Sequence, residues 1–323
     1  MSARMTSLET WVERSTGQRP IRMEPLQPGA GRRRYLRATL LDGSSRVVMH
    51  AVPEDPGILP PALRTPRQTI DFVAVTRLLE HNGIPVPEIY AVETAQRWVL
   101  LEDLGSLHVG DLSGAGLLDR LREAAALLAR VHSIPRSEEL PFSREFDAEW
   151  VSFEMEYFVG SQRGVSRDPE VSAAVDALVV AVACLPRVLC LRDYHCQNLM
   201  VDPEGRLRVI DYQDALLAPP ELDLAAFLYD SYLDLDPSTR EDLLGLYESA
   251  RGVSVSRGSL ALLIVQRKCK DVARFSALVR RGDSRFAEAR VRALRAALKA
   301  VTELPGALRS HRPALESALE AQR

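Results

Sequence analysis

One segment of the chain carries side chains suited to the transfer of a phosphoryl group. Asn198 follows Asp193 by five positions, and Asp211 lies thirteen positions beyond Asn198. Phosphoryl transfer from ATP requires a carboxylate that receives the proton of the acceptor hydroxyl, and metal ions that bridge the phosphate oxygens. Asp193 suits the first role, and the side-chain oxygens of Asn198 and Asp211 suit Mg2+. Because kinase-type enzymes use one base and two such ligands, phosphoryl transfer is the leading hypothesis.

Short apolar segments predict the strands that position these groups. Residues 188–190 lead towards Asp193, residues 207–210 lead into Asp211, and residues 202–205 (Asp-Pro-Glu-Gly) predict a turn between them. This hairpin would fold the second carboxylate back beside the amide. Taken singly, each of the three residues is more often a loop, turn or helix-capping residue. Their combination favours the base and ligand roles.

Neighbours of the predicted base have alternative roles. His195 either orients Asp193 through a ring nitrogen or packs beneath the loop. Asp214 is either a ligand of a second ion or a turn residue. Asp223 starts an apolar helical run, so we expect it to cap that helix and to brace the catalytic loop.

Composition limits the classes of function. The chain has 323 residues, 46% of them hydrophobic, and a net charge of −3, so no overall positive field attracts nucleic acid or anionic lipid. No apolar run approaches the roughly 20 residues that cross a bilayer, and the N-terminus lacks the apolar segment of a secretion signal. We therefore expect a cytoplasmic protein with no nucleic-acid or membrane partner. Paired zinc-type spacing is absent, which favours inert thiols at Cys184, Cys190, Cys196 and Cys269.

The pattern of apolar residues predicts a small β-rich part followed by a helical part. Prolines between Pro53 and Pro66 forbid regular structure there, and the segment from Glu102 to Gly105 reads as a hinge. Strands are predicted at 34–41, 46–51, 86–92 and 97–101, and a helix at 70–82. Further helices are predicted at 117–131, 142–160, 171–184, 241–250, 260–279 and 286–304.

Three motifs carry a resemblance to a known family: Leu191-Arg192-Asp193-Tyr194-His195-x-x-Asn198-Leu199-Met200, Asp211-Tyr212-Gln213-Asp214-Ala215 and Leu101-Glu102-Asp103-Leu104-Gly105. Together they resemble the aminoglycoside phosphotransferase/choline kinase superfamily. The sequence Arg-Asp-Tyr-His, where most relatives have His-Gly-Asp, is similar to the subgroup of bacterial anomeric N-acetylmuramate/N-acetylglucosamine kinases. Residues 31–37, 83–89 and 266–270 extend the resemblance over most of the chain.

The resemblance implies an α+β, two-lobed fold of the protein-kinase type. A small antiparallel β-sheet N-lobe would span residues 1–104 and bind nucleotide, and a larger, mainly helical C-lobe would span residues 105–323 and bind substrate. It implies a kinase that uses ATP and Mg2+ to phosphorylate the anomeric hydroxyl of a small amino sugar released in peptidoglycan turnover. The product would be the sugar 1-phosphate. We expect a monomer, although the sequence does not determine the oligomeric state.

The same resemblance assigns roles to individual residues. Asp193 would be the base, and Asn198 and Asp211 would be the magnesium ligands. The hinge against adenine would consist of Glu102, Asp103 and Leu104. We also expect contacts to substrate from Arg192, His195, Gln213, Arg267 and Lys270.

One departure concerns the cation that binds the phosphates. Kinases place a lysine on the third strand, but this chain has no lysine before Lys268, and Met49 or His50 stands about where it would be. The glycine-bearing loop at 28–31 could cover the triphosphate. The arginines that follow it either bind the phosphates or form a solvated run: Arg32, Arg33, Arg34 and Arg37.

Two helices offer candidate contacts to the acceptor, each with a structural alternative. Arg267, Lys270 and Arg274 share one helix face, which either binds the lactyl carboxylate of N-acetylmuramate or is solvated. The aromatic and acidic helix around Trp150 and Glu154 either stacks on a sugar ring or packs in the core.

Two other functions remain as alternatives. One is a kinase for another small-molecule hydroxyl, on choline, a homoserine-like acceptor or an aminoglycoside. A cationic acceptor would need a carboxylate-lined pocket, whereas an acidic sugar would need arginines. The other is a nucleotide-binding pseudokinase, which only the missing N-lobe lysine supports.

Overall fold

The structure of the protein, a computed structural model, describes residues 7–26, 33–52, 68–138, 141–161 and 168–322. The predicted phosphate ligand Arg32, the loop at 28–31 and the proline-rich stretch between Pro53 and Pro66 lie outside these residues. Within the described part of the chain, no helix combines the length and apolar character needed to span a membrane.

In the described residues, the N-terminal lobe is an antiparallel sheet with two α-helices. In chain order it comprises α1 (Leu8–Thr16), β1 (Pro20–Pro25), β2 (Arg34–Leu40), β3 (Ser45–His50), α2 (Gln68–His81), β4 (Ile89–Glu93) and β5 (Trp98–Glu102). The strand order is β1-β2-β3-β5-β4. The hairpin of β2 and β3 forms as predicted. β4 begins three residues later than predicted, because Pro85 and Pro87 lack the N–H group that a ladder requires.

Both faces of this sheet are buried at β3. Successive side chains of the strand point to opposite faces, and each face packs against an apolar cluster. Val48 packs in a small apolar cluster with Trp11 and Val12 of α1. Val47 and Met49 belong to the large core that includes α2. The inner face of the sheet, on which the family would place its lysine, therefore carries the buried side chain of Met49.

The C-terminal lobe is mainly helical. Its helices are α3 (Gly114–His132), α4 (Ala148–Gly160), α5 (Pro169–Ala183), α6 (Glu221–Leu228), α7 (Pro237–Arg251), α8 (Arg257–Arg280), α9 (Ala287–Glu303) and α10 (Arg312–Glu320). Short strands in the described part of this lobe pair antiparallel: β6 (Val188–Cys190) with β9 (Leu216–Ala218), and β7 (Leu199–Val201) with β8 (Leu207–Val209). Helix α4 starts six residues later than predicted, because the Asp147 side chain accepts a hydrogen bond from the Trp150 N–H (2.9 Å) and caps it there.

A single apolar core joins the two lobes, extending from Val47 in the sheet to Leu319 in α10. The sheet, the helical lobe and this shared core confirm the predicted two-lobed α+β fold. The boundary between residues 104 and 105 stays a prediction. At that point β5 ends at Glu102, and Gly105 has a φ of 81°, a backbone angle that glycine adopts without strain.

Candidate active site

The loop that carries the predicted base is fixed through its main chain. The Asp223 carboxylate accepts hydrogen bonds from the N–H groups of Leu191 and Arg192, both at 2.7 Å. His132 lies beside this carboxylate, with its Nε2 3.3 Å away, and its Nδ1 is 2.7 Å from the Tyr247 hydroxyl. The side chains of Asp223, His132 and Tyr247 are all buried. Buried polar groups joined in this way hold a loop rigidly.

Asp223 braces the catalytic loop as predicted, but the prediction that it caps a helix is wrong. Helix α6 begins at Glu221, and Asp223 lies inside its first turn. The carboxylate is engaged with the loop instead. The loop also contains Arg192 at a φ of 74°, and a non-glycine residue in this region stores backbone strain of the kind found at functional sites.

Asp193 is held by Arg267 of α8. Arg267 NH2 donates to Asp193 Oδ1 and its NH1 donates to the Arg192 carbonyl, both at 2.6 Å. Among the described residues, no group donates to Asp193 Oδ2. Burial alone would raise the pKa of Asp193, but the charges of Arg267, Lys270 and Arg192 hold it well below its usual range. The carboxylate is therefore ionised, with one oxygen available to accept a proton.

The two predicted metal ligands lie at the adjoining hairpin. Asn198 Nδ2 donates to the Asp193 carbonyl at 2.8 Å, and the Ile210 N–H donates to the Asn198 carbonyl at 3.0 Å. Asp211 follows with a φ of 59°, and its side chain is 38% exposed. No described residue donates to Asn198 Oδ1. An amide oxygen and an accessible carboxylate thus form a donor set that fits Mg2+.

Asp214 adds a second carboxylate to this set. Gln213 Nε2 donates to Asp211 Oδ1 (3.0 Å) and to Asp214 Oδ2 (3.1 Å), and so holds the two groups together. Burial alone would raise the pKa of Asp214. The charges of Arg33 and Arg192 outweigh burial, so the pKa lies below its usual value. The charge of Asp193 also acts on Asp214. The predicted base and Asp214 therefore share one electrostatic environment.

Arg33 is the described arginine of the predicted phosphate loop that reaches this environment. Its NH1 lies 2.6 Å from Asp211 Oδ1 and its NH2 3.3 Å from Asp214 Oδ2. Arg34, next in the chain, is exposed. Arg37 points to the hinge, where it donates to both Asp103 oxygens at 2.6 and 2.9 Å.

The hinge side chains are engaged within the protein. Asp103 also accepts from Ser45 Oγ at 2.6 Å, and Leu104 is buried. Glu102 pairs with Arg208 of β8 through two hydrogen bonds, one of them at 3.0 Å. Contact between this segment and adenine stays a prediction. The side chains of Glu102 and Asp103 already bind Arg208 and Arg37, respectively.

Arg192 of the loop forms a polar cluster with residues of α4 and α8. Arg192 NH2 donates to Glu154 Oε1 at 2.9 Å and stacks over the Trp150 ring, and Gln266 Nε2 donates to Glu154 Oε2 at 2.7 Å. Trp150 is 1% exposed, so core packing, and not an exposed stacking surface, describes it. Both oxygens of the Glu154 carboxylate are therefore hydrogen-bonded. Burial alone would raise its pKa, but the charges of Lys270 and Arg192 lower it.

Lys270 lies in the same cluster without a partner among the described residues. It is buried, as is Arg267, whereas Arg274 on the same helix is exposed. The alternative prediction of a solvated helix face is therefore wrong for Arg267 and Lys270. Burial and the charge of Arg267 lower the pKa of Lys270 to about 8, although Glu154 and Asp193 oppose this shift. A buried ammonium with no described acceptor is available to an anion.

His195 packs beneath the loop. Its ring lies 5.3 Å from that of Tyr232, and its Nε2 lies 3.5 Å from Asn198 Nδ2. Burial lowers the pKa of His195, which favours the neutral imidazole. Its contact with substrate, like that of Gln213, stays a prediction.

Sequence reasoning missed the contacts of α2 with the C-terminal lobe. Arg144 donates to Asp71 of α2 through NH2 and to the Gln213 carbonyl at 3.2 Å through NH1. The Tyr212 hydroxyl also lies 2.9 Å from Thr76 Oγ1 of α2. Asp71 inside an apolar helical run was the available signal, because a buried carboxylate requires a cationic or hydrogen-bonding partner.

The chain belongs to the phosphotransferase enzyme family, because the model of that family matches residues 22–258, well over half of its length. It is an ATP-dependent kinase of this family, and the resemblance seen in its motifs is confirmed.

Two relatives are each named N-acetylmuramate/N-acetylglucosamine kinase. The protein of Neisseria meningitidis serogroup B is 28% identical over 266 residues, which cover 78% of this chain and 75% of the relative. The protein of Pseudomonas putida is 28% identical over 254 residues, which cover 74% of this chain and 71% of the relative.

Solved structures share the fold. Choline kinase LicA from Streptococcus pneumoniae matches with a TM-score of 0.65 and 17% identity, over 91% of this chain and 100% of that one. A spectinomycin phosphotransferase in complex with ADP and spectinomycin matches with a TM-score of 0.58 and 16% identity, over 98% and 100% of the two chains. The two-lobed fold is therefore kinase-like.

Proposed function

We propose that the protein phosphorylates the anomeric hydroxyl of N-acetylmuramate, N-acetylglucosamine or both, and produces the sugar 1-phosphate for reuse of peptidoglycan fragments. The observation that carries this proposal is the arrangement of Asp193. Its Oδ2 accepts no hydrogen bond from a described residue, and its charge acts on Asp214, which Gln213 holds together with Asp211. The names of the two relatives support the choice of acceptor.

In this reaction Asp193 acts as the base. The anomeric oxygen attacks the γ-phosphorus of ATP, the bond from that phosphorus to the β–γ bridging oxygen breaks, and ADP leaves. Asp193 Oδ2 takes the hydroxyl proton, while Arg267 keeps Oδ1 fixed. Asn198 and Asp211 would hold Mg2+, which supplies positive charge to the phosphate oxygens.

The charged side chains near Asp193 favour an anionic or neutral sugar as the phosphate acceptor. Arg192 and Gln266 already satisfy Glu154, whereas the ammonium of Lys270 has no described partner. A carboxylate such as the lactyl group of N-acetylmuramate would complete this cluster through charge-assisted hydrogen bonds. A choline-like or aminoglycoside cation would meet the ammonium of Lys270, which has no described hydrogen-bond acceptor, so those acceptors are disfavoured.

The pseudokinase alternative has weaker support. A module that only binds nucleotide has no need of a base whose pKa is held low beside two metal ligands. Replacing Asp193 with Asn keeps the contact with Arg267 but removes the base, and it should lower kcat by roughly 10²–10⁴-fold. An unchanged kcat would rule out Asp193 as the base.

An ADP-release screen tests the acceptor directly. N-acetylmuramate, N-acetylglucosamine, other hexosamines, choline and aminoglycosides should be compared with ATP and Mg2+ present. We expect turnover with the two N-acetyl sugars and none with their methyl glycosides, in which the anomeric hydroxyl is blocked. Phosphorylation of a methyl glycoside would exclude the anomeric position.

A further inference from the structure

The metal carboxylates of this protein are bridged by one guanidinium. Arg33 immediately precedes β2 and donates to Asp211 at 2.6 Å and to Asp214 at 3.3 Å, with only 12% of its side chain exposed. A guanidinium presents a planar fork of donors, a geometry that fits phosphate oxygens as well as carboxylates. Arg33 can therefore bind either the two carboxylates or phosphate oxygens.

Among the described residues, several other arginines of the site are engaged elsewhere, whereas Arg34 is exposed and Lys270 lies beside Arg267 on α8. Arg37 is engaged by Asp103 and the Gly105 carbonyl, and Arg144 by Asp71 and the Gln213 carbonyl. The strand position of the usual kinase lysine carries the buried Met49. Arg192 and Arg267 are tied to Glu154 and Asp193 in the C-terminal lobe.

We propose that Arg33 binds the β- and γ-phosphates in place of the N-lobe lysine, and that it exchanges Asp211 and Asp214 for phosphate oxygens when the magnesium nucleotide binds. The exchange follows from charge. Carboxylates that hold a divalent cation no longer need the guanidinium, and the triphosphate that accompanies the cation offers it a stronger anionic partner. This inference rests on the proposed kinase function, but only on its nucleotide half.

Calorimetric titration of ADP and AMP in the presence of Mg2+ tests the proposal, because AMP lacks the phosphates in question. Arg33→Met should weaken ADP binding roughly 10–100-fold, the size expected for a lost charge-assisted contact, and should leave AMP affinity within about twofold. Arg22→Met is the matched control. Arg22 is an arginine of the same lobe with 68% of its side chain exposed, and both affinities should be unchanged.

Three results would overturn the proposal: ADP affinity of wild-type strength in Arg33→Met, equal losses for ADP and AMP, or a selective ADP loss in Arg34→Met alone. If Arg33→Met fails to fold, Arg33→Gln carries the same test, because its amide can still bond the two carboxylates. No sugar is present in the titration. Failure here therefore leaves the sugar-kinase proposal standing, and failure of the acceptor screen leaves this one standing.

Discussion

Arg267 NH2 lies 2.6 Å from Asp193 Oδ1, and the same guanidinium donates at 2.6 Å to the carbonyl of Arg192. One side chain of α8 thus fixes both the carboxylate and the backbone of the loop that carries it. Because Arg267 is only 5% exposed, its charge acts on Asp193 with little solvent screening. The contact orients the carboxylate of Asp193, the proposed base, and lowers its pKa.

Replacing Arg267 with Met should therefore change the pH dependence of catalysis. Without the guanidinium, burial raises the pKa of Asp193, and the base is protonated over a wider acid range. We expect the acid limb of the kcat/KM profile to move to higher pH and kcat at neutral pH to fall roughly 10–100-fold. Arg274→Met, an exposed position on the same helix, should leave the profile in place, and an unshifted acid limb in Arg267→Met would contradict the role.

The sequence predicted the groups of the site that are close in the chain, and it left open those that pair over long distances. Asp193, Asn198 and Asp211 lie in one loop and one hairpin, so their spacing determines their arrangement. Arg267 and Asp193 are 74 positions apart in the chain. Helical periodicity shows that Arg267, Lys270 and Arg274 share a helix face, but it does not show which residues pack against that face. Hence the solvated alternative could not be excluded beforehand.

The fold shows the same division. The hairpin of β2 and β3 was predictable because its turn and its alternation are local. β9 was not predicted, because its three residues form a strand only by pairing with β6, with Cys190 opposite Leu216. The cap assigned to Asp223 failed for a related reason: the loop, 31 positions away, competes for its carboxylate.

Lys270 should discriminate between the two N-acetyl sugars. Lys270→Met should raise KM for N-acetylmuramate about 10–100-fold, because the carboxylate loses an ionic partner, and should leave KM for N-acetylglucosamine nearly unchanged. In the wild type, the ammonium is charged below its pKa of about 8 and neutral above it. KM for N-acetylmuramate alone should therefore rise as pH passes 8, and equal changes for both sugars would rule out a carboxylate contact.

Asp223→Asn should separate bracing of the loop from catalysis. The amide has one acceptor oxygen, so either Leu191 or Arg192 loses the partner of its buried N–H. We expect a loss of about 1–3 kcal/mol in the free energy of unfolding by urea, together with a lower kcat and little change in nucleotide affinity. Asp234→Asn, at an exposed carboxylate, is the control and should alter neither quantity. A stable variant with reduced nucleotide affinity would contradict the bracing role.

Arg208 should stabilise the attachment of the hinge to the C-terminal lobe. Its side chain is 10% exposed, and it donates to Glu102, to Asp202 Oδ2 at 3.0 Å and to the Val86 carbonyl at 2.7 Å. Arg208→Met leaves both carboxylates without this cation, so we expect a loss of about 2–4 kcal/mol in the free energy of unfolding and weaker binding of ADP. Arg22→Met removes an arginine of the N-terminal lobe with 68% of its side chain exposed and should have little effect on either quantity. Equal stability losses in the two variants would show that the hinge contact contributes nothing specific.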